Sequence, residues 1–329
     1  MARPPDATVP ITVITLGFDP AVRVGPFDVR WETLGLAVAL FVAVLLAAVF
    51  ARGGGRARGL SPLRMDDLFF LAVAVVPGAV VGGRAAIALV YLDYYRAHPG
   101  ALLDPTHGSL SLLGAVVGGT ATAAYMCRLL EVPARRWLDA AAVPLLVAIG
   151  LGKLAYLLGG GGQGAPWAGR WAVAFAGPGP WLSPLPAVPA YPSQVLEAVW
   201  TLFGALVVIA LSVPSVHRWL PRRFRQPDRM PGAADEPAGE TVPGALRFGS
   251  LWVVALAWWL VGRVLVGFTW ADPPVVAGLR AEQAGALVVL VGLLVSATWW
   301  TRPRRHRGPH AQLPRGSGAP PADDASARP

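Results

Sequence analysis

Four ionisable side chains stand inside stretches that are otherwise apolar: Arg84, Lys153, Glu197 and Arg263. A charge placed in hydrocarbon is costly, so such residues face a cavity or pair with a partner. Three cations against one carboxylate predict a positive pocket. An anionic phospholipid headgroup is the natural ligand for it. Arginine grips a phosphate with two parallel N–H donors, whereas lysine acts as a point charge. Ser193 and Gln194 precede Glu197 and would add neutral polar groups to the same place. The competing reading is that each cation snorkels outward or pairs internally. The run Gly159-Gly160-Gly161-Gly162, followed by Gln163 and Gly164, could cradle phosphate with its backbone amides. On composition alone it also reads as a flexible helix exit.

Other chemistry is thinly represented. The chain has one cysteine, Cys127, read as a small buried side chain, so no internal disulfide forms. His98 and His107 share one connection, where a solvated role is the default and proton carriage the alternative. No metal-spaced His/Cys cluster, nucleotide loop or serine elbow is present, so neither a metal nor a cofactor is expected.

These residues must be positioned by long apolar elements. Only 14% of the 329 residues are charged and 54% are hydrophobic. Soluble domains carry about 25% charged residues. A spanning helix needs about 20 mostly apolar residues, and seven segments qualify: roughly 31–51, 67–92, 109–127, 138–158, 194–216, 248–268 and 283–301. The chain is therefore expected to be an all-α integral membrane protein with seven transmembrane helices. One set of connections holds nineteen Lys and Arg and the other six. The positive-inside rule puts the first set in the cytoplasm, with the N-terminus outside and the C-terminus cytoplasmic. The net charge of +9 thus reports topology, and nucleic acid is not expected as a partner. Arg84, Lys153 and Arg263 then fall in the outer halves of three outward-running spans, at similar depth.

The expected organisation is an extracytoplasmic segment over 1–30 without a cleavable signal, a membrane domain over 31–301, and a basic disordered tail over 302–329. Within the membrane domain, residues 159–193 form a long outer loop rich in Gly, Pro and Trp, and residues 217–247 form a cytoplasmic linker. Long loops of this kind are often functional. Trp167, Trp171 and Trp181 are expected at the outer interface. The hexapeptide Gly78-Ala79-Val80-Val81-Gly82-Gly83 recurs as Gly114-Ala115-Val116-Val117-Gly118-Gly119. Each copy holds a Gly-x-x-x-Gly, which lets helices approach closely. Shared packing chemistry is the simpler reading, and a transporter's inverted repeat the other.

Taken in order, these landmarks resemble the bacterial prolipoprotein diacylglyceryl transferase family over roughly residues 29–301. They are Val29-Arg30-Trp31, then Gly82-Gly83-Arg84 with Tyr91, then Leu110-Ser111-Leu112-Leu113-Gly114-Ala115. Gly152-Lys153-Leu154 with Gly164 follows, then Tyr191-Pro192-Ser193-Gln194-Val195-Leu196-Glu197, then Arg263 and Gln283. Tyr191–Glu197 is similar to the family's His-Pro-Ser-Gln-Leu-Tyr-Glu and is the clearest match.

The resemblance implies transfer of diacylglycerol from phosphatidylglycerol to the cysteine thiol of a prolipoprotein signal peptide, without a metal, at the bacterial cytoplasmic membrane. It implies catalytic roles for Arg84, Lys153 and Glu197, and substrate contacts from Arg84, Lys153, Gly164, Ser193, Gln194 and Arg263. The chain departs from the pattern at several polar positions. The family's functional His is Leu113 here, its signature Arg is Lys153, and its first Asn is Tyr156. Its later Asn and Glu align with Gly159 and Gly161. Its first-span Tyr aligns with Glu32, and its last Glu and Arg fall near Gly267 and Trp270. Glu197, His98 and Glu32 are the candidate bases for the thiol proton. Beside an acting transferase, two other readings stay open: a non-catalytic protein that binds anionic phospholipid or a protein partner, and a small transporter.

Overall fold

The computed structural model describes residues 13–56, 63–102, 110–212 and 249–301. The linker over 217–247, the tail over 302–329, His107 and the first twelve residues lie outside the described residues. Among the described residues eight α-helices run in chain order: α1 (Trp31–Arg56), α2 (Met65–Val90), α3 (Leu92–Ala97), α4 (Leu112–Leu129), α5 (Ala134–Gly159), α6 (Ser193–Ser212), α7 (Ser250–Val266) and α8 (Ala281–Thr301). All but the six-residue α3 are long and apolar enough to cross a membrane. The expected seven spans are therefore present, each within a few residues of the boundaries read from the sequence.

Successive spans run in opposite directions, so the polar residues singled out above gather at one end of the bundle. The α1, α4, α6 and α8 helices begin there, and α2, α5 and α7 end there. Buried surface is concentrated in the middle of the arrangement: half of α7 and 44% of α5 is buried, against 6% of α2. The core joins Leu146 and Ile149 of α5, Val208 of α6, Trp259 and Leu260 of α7, and Ala286 of α8.

Glycines set the closest helix contacts. Gly82 lies against the backbone of Gly114 and Gly118, and Gly78 against Gly118 and Thr122. A methyl group at any of these glycines would collide, so the two Gly-Ala-Val-Val-Gly-Gly copies pack on each other and hold α2 against α4. Gly35 meets Ala155 in the same way between α1 and α5. Between α6 and α7 the device is reciprocal. The Trp200 indole N–H donates to the Trp258 carbonyl and the Trp258 indole N–H to the Trp200 carbonyl, both at 2.9 Å. The rings stack 4.8 Å apart. Trp258 lies over Gly204 and Trp200 over Gly262. Small residues substitute here for the hydrophobic driving force that lipid does not supply.

Helix ends are satisfied from neighbouring elements. Ser111 caps α4 by accepting from the Gly114 amide at 3.0 Å. At the opposite end of the bundle, Asp139 of α5 caps α7, accepting from the amides of Gly249 at 2.9 Å and Trp252 at 3.1 Å. Cys127 is buried there among Ala51, Leu71 and Trp137.

Short strands cover the polar end. β1 (Ile14–Leu16) pairs in parallel with β4 (Val173–Phe175). β2 (Ala21–Val24) and β3 (Phe27–Arg30) form a hairpin leading into α1, and β5 (Pro274–Val276) and β6 (Leu279–Arg280) form another before α8. The connection between α5 and α6, read above as a long loop, thus carries an ordered strand tied to the N-terminal segment. Of its tryptophans, Trp171 is exposed, whereas Trp181 packs on Phe18 and Phe175, and Trp167 stacks on Tyr191.

Candidate functional site

Three of the four charges read from the sequence meet at the polar end. Lys153 lies two turns before the end of α5, Glu197 in the second turn of α6, and Arg263 in the last turn of α7. The Lys153 ammonium sits 2.9 Å from Glu197 Oε2. Arg263 Nη1 donates to Glu197 Oε1 at 2.7 Å. Glu197 is thus clamped between a point charge and a guanidinium, each on its own helix.

A second carboxylate completes the cluster. Glu282, in the first turn of α8, accepts from Arg263 Nη2 at 2.5 Å. Its other oxygen accepts from the Ser111 hydroxyl at 2.5 Å. The chain of contacts Lys153–Glu197–Arg263–Glu282–Ser111 therefore joins five helices, α5, α6, α7, α8 and α4. Two cations and two carboxylates balance within it. This corrects the expectation of three cations facing one carboxylate. Glu282 reads in sequence as an ordinary acidic residue at a helix start, and its hydroxyl partner is 171 positions away.

Arg84 borders the same region. It follows Gly83, whose carbonyl accepts the Ser111 amide at 3.2 Å, and it is half-buried on α2. Arg84 brings a third cation to this end of the bundle.

Burial separates the members by what they can reach. The side chains of Glu197 and Arg263 are 1% and 5% exposed, those of Lys153 and Glu282 22% and 27%. The Arg263 guanidinium also lies 4.5 Å from the Trp270 ring centre, with Trp259 at 5.7 Å. Such faces favour a cation. Glu197 and Arg263 are interior struts. Lys153 and Glu282 present surface that a ligand can touch.

Ser193, Gln194 and Gly164 hold the surrounding chain. The Ser193 hydroxyl meets the Thr269 hydroxyl at 2.7 Å and the Thr269 carbonyl at 3.1 Å. Gln194 Nε2 donates to the Gly161 carbonyl at 3.0 Å. Gly164 pairs its amide with the Tyr191 carbonyl at 3.0 Å and leaves no room for a side chain against Ser193, Thr269 and Tyr191. These groups fasten the start of α6 to the glycine turn on one side and to the 3-10 turn Gly267–Thr269 on the other. Gln283 is fully buried, donating to the Val264 carbonyl and accepting from the Arg280 amide, both at 2.9 Å.

The glycine run closes α5. Gly160 adopts φ +73°, a left-handed cap that only glycine takes without strain. Its amide bonds to Leu157 and that of Gly161 to Tyr156, at 3.2 and 2.9 Å. Those two amides are occupied and do not line a phosphate cradle. Gly159 and Gly161 leave space that is filled from elsewhere. Glu32 of α1 lies against Gly159, and Tyr156 and Leu182 against Gly161. Glu32 is buried, 3.8 Å from the Arg30 guanidinium. Leu113 packs in the apolar core beside Gly285. His98 belongs to an exposed turn, its Nδ1 3.2 Å from the Tyr94 carbonyl.

Seven apolar spans with a buried cluster of opposite charges near one end define a multi-pass membrane protein with a polar intramembrane site. The family model of prolipoprotein diacylglyceryl transferase matches residues 20–223, and the chain belongs to that family of the bacterial cytoplasmic membrane. Curated relatives named phosphatidylglycerol–prolipoprotein diacylglyceryl transferase are similar to this chain. The protein of Rhodopseudomonas palustris is 28% identical over 87% of this chain and 92% of its own length. That of Symbiobacterium thermophilum is 30% identical over 57% of this chain and 69% of its own. That of Gluconacetobacter diazotrophicus is 32% identical over 59% and 67%.

Proposed function

We propose that this chain transfers the diacylglyceryl group of phosphatidylglycerol to the cysteine sulfur of a prolipoprotein. The observation that carries the reading is the buried Lys153–Glu197–Arg263 cluster, set at one end of seven spans in a member of this family. The Lys and Arg count of the connections supports an extracytoplasmic position for that end.

In the proposed reaction the sulfur attacks the glyceryl carbon that bears the phosphate. A carbon–sulfur bond forms as the carbon–oxygen bond breaks. Glycerol phosphate departs with the electron pair and takes up the thiol proton. Negative charge gathers on the departing oxygens, where preformed positive groups lower the barrier most. Lys153 and Arg84 serve that charge. Without lipid, Glu197 and Arg263 are enclosed and hold Lys153 and the ends of α6, α7 and α8 in place. Ser193, Gln194 and Gly164 fix the loops around the headgroup.

A non-catalytic protein that binds anionic phospholipid is the second reading. It is favoured by Leu113, an apolar core residue where the resemblance places a histidine, and by the charge balance of the central cluster. Complementation separates the two readings. Expressed in bacteria depleted of their own transferase, the chain restores lipoprotein maturation and its Lys153→Met variant does not. Failure to restore maturation by a folded, membrane-inserted chain that still binds phosphatidylglycerol would select the second reading.

A further inference from the structure

Both terminal nitrogens of Arg263 are engaged. One terminal nitrogen donates to Glu197 and the other to Glu282, at 2.7 and 2.5 Å. Trp270 lies over the guanidinium at 4.5 Å. The one group here that can leave is Glu282. Its side chain is 27% exposed, against 1% for Glu197. It stands in the first turn of α8, directly after the β5–β6 hairpin, whose Val275 and Val276 are exposed. Besides Arg263, the Ser111 hydroxyl holds it. With the Glu282 side chain swung aside, Arg263 Nη2 is left for another anion.

We propose that Glu282 is a built-in occupant of an anion position on Arg263, and that the phosphodiester of an anionic lipid takes its place when it binds. The inference rests on the lipid-binding part of the reading above. The exchange suits the charges. A phosphodiester and a carboxylate each carry one negative charge, so Arg263 keeps a singly charged anionic partner after the swap. A phosphodiester also offers two oxygens to the donors of Arg263, with Lys153 beside them. The displaced carboxylate remains next to the site. A ligand with a second negative charge, such as a phosphate monoester, meets it and is repelled. Glu282 thereby sets both the affinity for anionic lipid and the preference for diesters over monoesters.

The test is binding of fluorescent phosphatidylglycerol and phosphatidic acid to the full-length protein in nanodiscs of neutral lipid. Glu282→Gln keeps the shape and an acceptor for Ser111 while removing the competing charge. It should bind phosphatidylglycerol about tenfold more tightly and lose most of its preference over phosphatidic acid. Ser111→Ala loosens Glu282 from its other side and should tighten binding by a smaller factor. Unchanged unfolding temperatures show that both variants are folded. Binding by Glu282→Gln that is unchanged or weaker overturns the exchange. Wild-type binding then still stands and leaves the lipid site intact, with Glu282 reduced to orienting Arg263. No phosphatidylglycerol binding by any form overturns both the exchange and the lipid site. Dimethyl phosphate is the soluble diester probe. If it displaced the lipid at lipid-like concentrations, the ligand would be a free phosphodiester and the lipid assignment would fall.

Discussion

Replacing Glu197 by Gln removes a negative charge shared by two cations. Glu197 is 1% exposed, with Lys153 at 2.9 Å and Arg263 at 2.7 Å. Breaking a buried pair by neutralising one partner costs about 3–5 kcal/mol, because the other charge stays buried. Two features pull the cost to the lower end. Arg263 keeps Glu282, and the 22% exposed Lys153 can swing towards lipid headgroups. The expected loss is about 3 kcal/mol, a factor of about a hundred in the folding equilibrium. Reversible unfolding in mixed micelles with rising SDS measures it. Removing the unpaired lysine as well should recover part of the loss, so the double variant Glu197→Gln, Lys153→Met should cost clearly less than the two single changes added together. A loss below about 1 kcal/mol for Glu197→Gln, or strict additivity in the double variant, would refute the view of Glu197 as a charge-paired strut.

Three further predictions follow from the packing. Trp200→Phe and Trp258→Phe each remove one indole hydrogen bond and should cost about 1 kcal/mol in the same assay; losses well under a few tenths would show that the clasp contributes nothing. Gly82→Leu drives a side chain into the Gly114 and Gly118 backbone, so it should part α2 from α4 and lower the yield of folded protein sharply. Normal yield and unfolding temperature would contradict that contact. Asp139→Ala uncaps α7 and should cost about 1–2 kcal/mol, with faster hydrogen exchange at the Gly249 and Trp252 amides.

The spans were legible because a run of about 20 apolar residues has few other homes. Lys153, Glu197 and Arg263 were legible for the same reason, since a charge inside such a run stands out. Glu282 was not. It lies at a helix start, where an acid is unremarkable, and its meaning comes from Arg263 across a helix pair and from Ser111, 171 positions away. The glycine run needed the backbone to decide between two readings. Its composition left a phosphate cradle open beside the simpler helix exit, and the backbone closes α5 with the amides of Gly160 and Gly161. Glu32 filling the space at Gly159 is likewise a matter of helix packing, which sequence spacing within α5 does not encode. The packing of Trp181 on Phe18 and Phe175 likewise depends on segments far apart in the chain.

A partly exposed Lys153, held by Glu197 and Arg263, is proposed to support diacylglyceryl transfer. Mass spectrometry of a synthetic lipobox peptide incubated with the purified protein in phosphatidylglycerol vesicles tests this. The cysteine should gain the mass of one diacylglyceryl group, strongly reduced by Lys153→Met and by Arg84→Ala in folded protein. An unmodified peptide, alongside full modification by the Rhodopseudomonas palustris relative under the same conditions, would contradict it.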